Sequence, residues 1–227
     1  SIKTYDAQTL ANIYAETPGN GFSLIVIPAE SPTHLSFALN APSYVSFAIR
    51  PLLGWIAGVE LKDLGRTTPK VFDGRSGAVL EDGAAVMHVS LPPGRTAEVG
   101  LVNIFEPGDG PVLTFTADGF SAVEVLVDGR PRGFAEYMKE RSFDTKLPLV
   151  ADIGGALINT SFQSVDEKSG EVRFYAPVFK GVRYRHAKPV ADYMGAFSSG
   201  IPAAGDAPIV YSCNCILNYL YAGLEGK

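Results

Sequence analysis

The chain has 227 residues, and its 24 glycines and 16 prolines break regular structure too often for a helical bundle or coiled coil. Hydrophobic residues make up 46% and charged residues 19%, the balance of a folded protein with a sizeable core, and the length suits one large domain or one with a smaller packed part. The net charge of -5 comes without any patch of Lys and Arg, which excludes the electrostatic footprint of a nucleic-acid binder.

Ser1-Ile2-Lys3 is followed by the polar Asp6 and Gln8, with no charged-then-apolar leader, so the chain reads as cytoplasmic. From Asp6 to Glu16, Leu10, Ile13 and Tyr14 stand at helical spacing, and Pro18-Gly19-Asn20-Gly21 stops that helix before a strand from Phe22 to Ile27. Residues 35–61 hold apolar segments cut by Pro42 and Pro51. The longest apolar run, Tyr44 to Val59, is interrupted by Arg50 and Pro51 before it supplies the ~20 residues of a membrane helix, so no membrane partner is expected. The polar stretch Lys62 to Lys70 marks a candidate boundary between an N-terminal helix and strand part, 1–70, and a main domain, 71–227.

Beyond Val71 the pattern is strand-rich. Ala85, Met87, Val89 and Leu91 alternate with Val86, His88 and Ser90 before Pro92-Pro93-Gly94 turns the chain, and strands follow over 112–116 and 121–127. Asp118-Gly119 and Asp128-Gly129 are turn dipeptides; the second leads into a helix near 131–141 with Phe134, Tyr137 and Met138 on one face. Ile158, Thr160 and Phe162 alternate with Asn159, Ser161 and Gln163, and Asp166 to Gly170 turns the chain into Val172, Phe174 and Ala176, a hairpin with one polar face. A helix near 188–200 carries Val190, Tyr193, Met194 and Phe197. A short strand, Pro208 to Tyr211, then runs into Ser212-Cys213-Asn214-Cys215 and a final helix, 214–225, with Leu217, Leu220, Tyr221 and Leu224. These elements predict an α+β fold, a largely antiparallel sheet packed by several helices.

Cys213 and Cys215 stand too close for a relaxed disulfide and read as free thiols in a reducing compartment. At a strand-to-helix junction a thiol meets unpaired N–H donors and the positive end of the helix, which favours thiolate. A nucleophile also needs a base, and His34, His88 and His186 are the candidates; the plainer alternative is an inert buried thiol. Zinc needs about four ligands, of which this pair supplies two, so neither metal nor cofactor is expected. Asn159, Ser161 and Gln163, together with Asn103 and Asn214, offer the convergent polar groups of a small-molecule pocket, or else one solvent-facing strand. Gly108-Asp109-Gly110-Pro111 reads as a turn, and Asn159-Thr160-Ser161 as a chance match to a glycosylation acceptor. Without GxSxG, Walker or HExxH motifs, the case for an enzyme rests on one thiol.

Several short motifs fall in a suggestive order: Val71-Phe72-Asp73-Gly74, Gly83-Ala84-Ala85-Val86, Asp118-Gly119, Val127-Asp128-Gly129-Arg130-Pro131 with Tyr137, and Leu147-Pro148-Leu149. Gly170 before Val172-Arg173-Phe174, Pro177-Val178 with Gly181, and Tyr211-Ser212-Cys213 complete it. This order, over about two thirds of the chain, resembles the FIST sensory domains, a bacterial family of small-ligand binders often attached to signalling modules. That family has a longer N-terminal half, and the Arg that often follows its Ser-Cys pair is replaced here by Asn214-Cys215-Ile216. The resemblance implies a domain that binds an amino acid or small polar metabolite through Asn159, Ser161, Ser212, Cys213 and Asn214 and signals through a separate protein. The rival expectations are a structural or interaction module, such as a homodimer, with a vestigial pocket, and a cysteine-dependent enzyme.

Overall fold

The computed structural model describes residues 1–153, 155–201, 209–215, 218 and 221. The chain forms two compact units, Ser1–Gly100 and Leu101–Lys227. The division expected near residue 70 therefore falls at Gly100, because the strand at residues 84–90 pairs with strands near the start of the chain.

In the first unit, β1 (Ile2–Tyr5) leads to a short 3-10 turn at Leu10–Asn12 and α1 (Ile13–Glu16); β2 (Gly21–Pro28), α2 (Pro32–Asn40), β3 (Leu52–Ala57), β4 (Val71–Asp73), β5 (Ala78–Leu80) and β6 (Ala84–Ser90) follow. The helix expected over 6–16 is shorter, because the Asp6 carboxylate accepts hydrogen bonds from the N–H groups of Gln8 and Thr9 and from the Thr9 hydroxyl, forming a turn in place of the first helical residues. α2 has Ser31 as N-cap, accepting from His34 N–H at 3.1 Å, and Pro32 in its first turn.

Four strands form a sheet in the order β1-β6-β2-β3, in which β2 and β3 run parallel and the other neighbours antiparallel. β2 buries Ser23, Ile25 and Ile27, and β6 buries Ala84, Val86 and His88 while exposing Met87. The core of this unit is Tyr5, Leu10, Ile13, Ile25, Ile27, Ala84 and Val86.

The second unit contains β7 (Leu113–Thr114), β8 (Gly119–Ala122), β9 (Glu124–Val127), β10 (Arg130–Gly133), α3 (Phe134–Glu140), β11 (Leu149–Ile153), β12 (Ala156–Thr160), β13 (Phe162–Asp166), β14 (Glu171–Val178), β15 (Tyr184–His186) and α4 (Tyr193–Gly200). One antiparallel sheet has the order β10-β9-β7-β15-β11-β12 and another the order β13-β14-β8. The α+β class is as the sequence predicts.

Asp128 and Gly129, with φ of 47° and 83°, make the two-residue turn between β9 and β10. The predicted strand over 121–127 is split between β8 and β9, and the expected 208–211 strand is absent at Ile209–Tyr211, with Pro208 outside the described residues. Of the final helix, Asn218 and Tyr221 are helical, whereas Leu217, Leu220 and Leu224 lie outside the described residues.

The same five-residue turn closes a hairpin in each unit. In Asp73–Gly77 and in Asp166–Gly170 the aspartate accepts from the N–H two residues on and from the serine hydroxyl three residues on, and the glycine N–H returns to the aspartate carbonyl at 2.8 Å. The carboxyl groups of Asp73 and Asp166 are held below their ordinary range by these hydrogen bonds.

The second core is aromatic. Phe115 meets Phe134, Phe174 and Tyr184 edge-on at centroid distances of 5.6, 5.9 and 5.6 Å, and Phe134 also packs on Phe162. Phe134, Tyr137 and Met138 are all buried, as the helical spacing requires. Phe134→Ala, at a fully buried position, is expected to cost about 3–5 kcal/mol, read as a fall in the urea midpoint followed by near-ultraviolet dichroism.

Candidate functional site

The five sequence-predicted residues all lie in the second unit, but Asn159 and Ser161, expected with Gln163 on one strand face, do not share it. β12 ends at Thr160 and β13, in the other sheet, begins at Phe162, so Ser161 is the corner between sheets; its carbonyl accepts from Tyr175 N–H at 3.0 Å. Asn159 stands opposite Val150 in the register and so shares its face. There its amide forms a reciprocal pair with Asn103, at 2.8 and 3.3 Å.

From that pair a chain of contacts continues. Asn103 Oδ1 accepts from Phe105 N–H, Phe105 packs edge-on against Tyr193, and the Tyr193 hydroxyl donates to Asn218 Oδ1. Asn218 in turn donates to Asn214 Oδ1 at 2.8 Å. Asn159 and Asn214 are thus the two ends of one chain laid beside the small core of Phe105, Val150 and Ala187. Burial raises the phenol of Tyr193 to about 12 and that of Tyr175 above its ordinary value, with the nearby Cys215 adding to both. Ser212, Cys213 and Cys215 are exposed, and Cys213 hydrogen-bonds Tyr211.

The three histidines are engaged elsewhere. His186 stacks flat on Phe143, with centroids 4.2 Å apart, and its Nε2 stands 3.0 Å from the Asp144 carbonyl. His34 and His88 belong to the first unit. His34, 4% exposed, accepts from Glu30 N–H at Nδ1, and burial lowers its pKa to about 4 against a smaller opposing pull from Glu30.

His88 is the centre of a buried network. Its Nε2 is 2.7 Å from Tyr5 Oη and its Nδ1 2.8 Å from Ser23 Oγ, while Thr17 Oγ1 stands 2.8 Å from Ser23 Oγ. Tyr5 donates to Glu16, which also accepts from Lys3. Because Tyr5 gives its proton to Glu16, a neutral His88 carries its hydrogen on Nε2 and accepts from Ser23 at Nδ1. Burial favours that neutral form, lowering the His88 pKa. Ser23 is fully buried, so these groups are closed to a substrate.

An open depression of the first unit offers more. It has a volume of about 320 Å³ and is lined by Tyr14, Phe47, Ile49, Arg50, Pro51 and Leu52, with Val99 at its edge. Ser46, in the left-handed region at φ 71°, accepts N–H groups from Ile49 and Arg50 and so turns the chain into Pro51. The Arg50 guanidinium lies against Gly19, where a Cβ would stand 3.0 Å from Nη1, so the absence of a side chain at 19 leaves it room. Arg50 Nε is buried with no hydrogen-bond partner, and its guanidinium has no ion-pair partner among the described residues. Tyr14 and Phe47 meet edge-on beside it at 5.3 Å. In the sequence Arg50 shows only as a charge interrupting the apolar run 44–59.

A second depression of the same unit, about 600 Å³, is lined by small and neutral groups including Ala11, Ala15, Ser36, Asn40 and Tyr44. Among the described residues no group of three or more His, Cys, Asp or Glu side chains is placed to hold a metal ion, and no helix is long and apolar enough to cross a membrane.

Residues 1–227 match a protein family described as Family of unknown function (DUF6976). No curated protein and no solved structure matches the chain.

The depressed pKa of His34 sets a pH dependence. Its unfolded value is near 6.5 and its folded value about 4, so the unfolded state binds the extra proton first. The stabilisation is complete above pH 6.5 and is lost as the pH falls toward 4, by up to roughly 3 kcal/mol, with His88 acting in the same sense. His34→Asn, which keeps an acceptor but does not titrate, is expected to flatten the fall in unfolding midpoint between pH 7 and pH 4.5 relative to the parent.

Proposed function

We propose that this chain, which belongs to the DUF6976 family, is a small-molecule-binding domain that holds its ligand at Arg50 without chemical turnover. One observation carries this: Arg50, a half-buried residue whose guanidinium has no ion-pair partner among the described residues, is the one charged residue lining a depression of about 320 Å³. A bound anion would supply the counter-charge that the guanidinium lacks. Arg50, rather than Asn159, Ser161, Ser212, Cys213 and Asn214, is the anchoring group, since Asn159 and Asn214 already spend hydrogen bonds on neighbouring amides.

The motif order resembling FIST sensory domains supports the same class of function, with a small polar metabolite as ligand and signalling output through a separate protein. A second reading, an interaction module, is favoured by the exposed apolar Val45, Ile49, Trp55 and Ile56 of the first unit. Sedimentation of the full chain over a concentration series separates the two, self-association being the mark of a homodimer.

Thermal-shift measurement against a broad panel of small anions is the direct test. A ligand at 100 times its dissociation constant adds about 2.7 kcal/mol, a rise of several degrees. Arg50→Met is expected to abolish the rise while leaving the unliganded midpoint close to the parent's. A panel without any hit, or hits unaffected by Arg50→Met, refutes binding at this site.

A further inference from the structure

Given that Arg50 holds a small molecule, we infer that the ligand is a compact monocarboxylate with an apolar body and no ammonium beside its carboxylate, an unaminated acid rather than an α-amino acid. The charge inventory of the depression carries this. Arg50 is the one charged residue among those that line it, and the rest of the lining, from Tyr14 and Phe47 to Leu52 and Val99, carries no formal charge. The Tyr14 phenol is neutral at physiological pH, as any tyrosine with its ordinary value near 10 or above is, so the wall's formal charge is a single positive one.

One planar guanidinium matches one planar carboxylate in both charge and fork geometry. A phosphate dianion would bring a second negative charge with no second cation to meet it. The α-ammonium of an amino acid would meet no Asp or Glu side chain among the lining residues, so it would gain no partner for the water it gives up there. A volume of about 320 Å³ lies at the small end of ligand sites, which limits the body to a ring or short branched chain. The edge-on rings of Tyr14 and Phe47 give that body an aromatic face to pack on.

Calorimetric titration of the full chain with matched probes tests this. The probes are 3-phenylpropanoate, L-phenylalanine, 3-phenylpropan-1-ol and phenyl phosphate, with 4-methylpentanoate and L-leucine as an aliphatic pair. The two acids are expected to bind roughly tenfold or more tighter than the amino acid or alcohol of the same body, and tighter than phenyl phosphate. Arg50→Met is expected to abolish acid binding, and Arg50→Lys, which keeps the charge but loses the fork, to weaken it.

Equal or tighter binding of L-phenylalanine, L-leucine or phenyl phosphate, lost in Arg50→Met, overturns the carboxylate assignment while leaving a ligand site at Arg50. Tightest binding of the alcohol overturns it as well. If no probe binds, or if binding survives Arg50→Met, the site itself is refuted. The comparison among probes on the unaltered chain does not depend on any variant folding.

Discussion

The first unit hangs on the donor chain that runs through His88. β6 and β2 are register neighbours at His88 and Ser23, and the same imidazole reaches β1 through Tyr5. The Ser23 hydroxyl in turn meets Thr17, the residue that ends α1. One buried ring thus ties three strands and a helix end together, and each of its nitrogens is satisfied. This also fixes what lies just beyond. Tyr14 is in α1 and Gly19 two residues past Thr17, so the wall and floor beside Arg50 are set by the same polar tie that closes the sheet. The surface beside Arg50 follows from the burial of a histidine.

What can be read from sequence here is what is local. Asp128-Gly129 announces its hairpin because few other residues accept φ > 0 twice in succession, and Phe134, Tyr137 and Met138 announce a buried helical face because their spacing permits nothing else. The unit boundary is not local. β6 pairs with β1 across nearly eighty residues of intervening chain, and nothing near residue 70 records that pairing. The alternation over 158–163 misleads for a subtler reason. A strand that leaves one sheet and enters another at Ser161 keeps its period of two through the corner, so the pattern survives while the face changes.

Arg50 illustrates a third kind of partial legibility. A lone charge within an apolar run is visible at once, yet its first meaning is that the run is no membrane helix. That the guanidinium turns toward Gly19 and meets no carboxylate among the described residues depends on the left-handed Ser46 and on a glycine thirty-one residues earlier, neither of which has a pattern of its own. The thiols show the reverse. Cys213 and Cys215 stand out in the sequence, yet in the fold the first contacts a tyrosine hydroxyl and the second sits among phenols.

The strand order β1-β6-β2-β3 also has a consequence for how the chain comes into being. The strand lying between β1 and β2 is the last of the four to leave the ribosome, so the sheet is completed by insertion at its middle rather than by growth at its edge. Until residues 84–90 emerge, β1 and the flank of β2 destined for β6 present unpaired backbone, the condition under which nascent chains pair wrongly or recruit chaperones. The five-residue turn at Asp73–Gly77 closes on a far shorter timescale than synthesis adds a residue, and by folding back β4 and β5 it shortens the path β6 must travel to its slot.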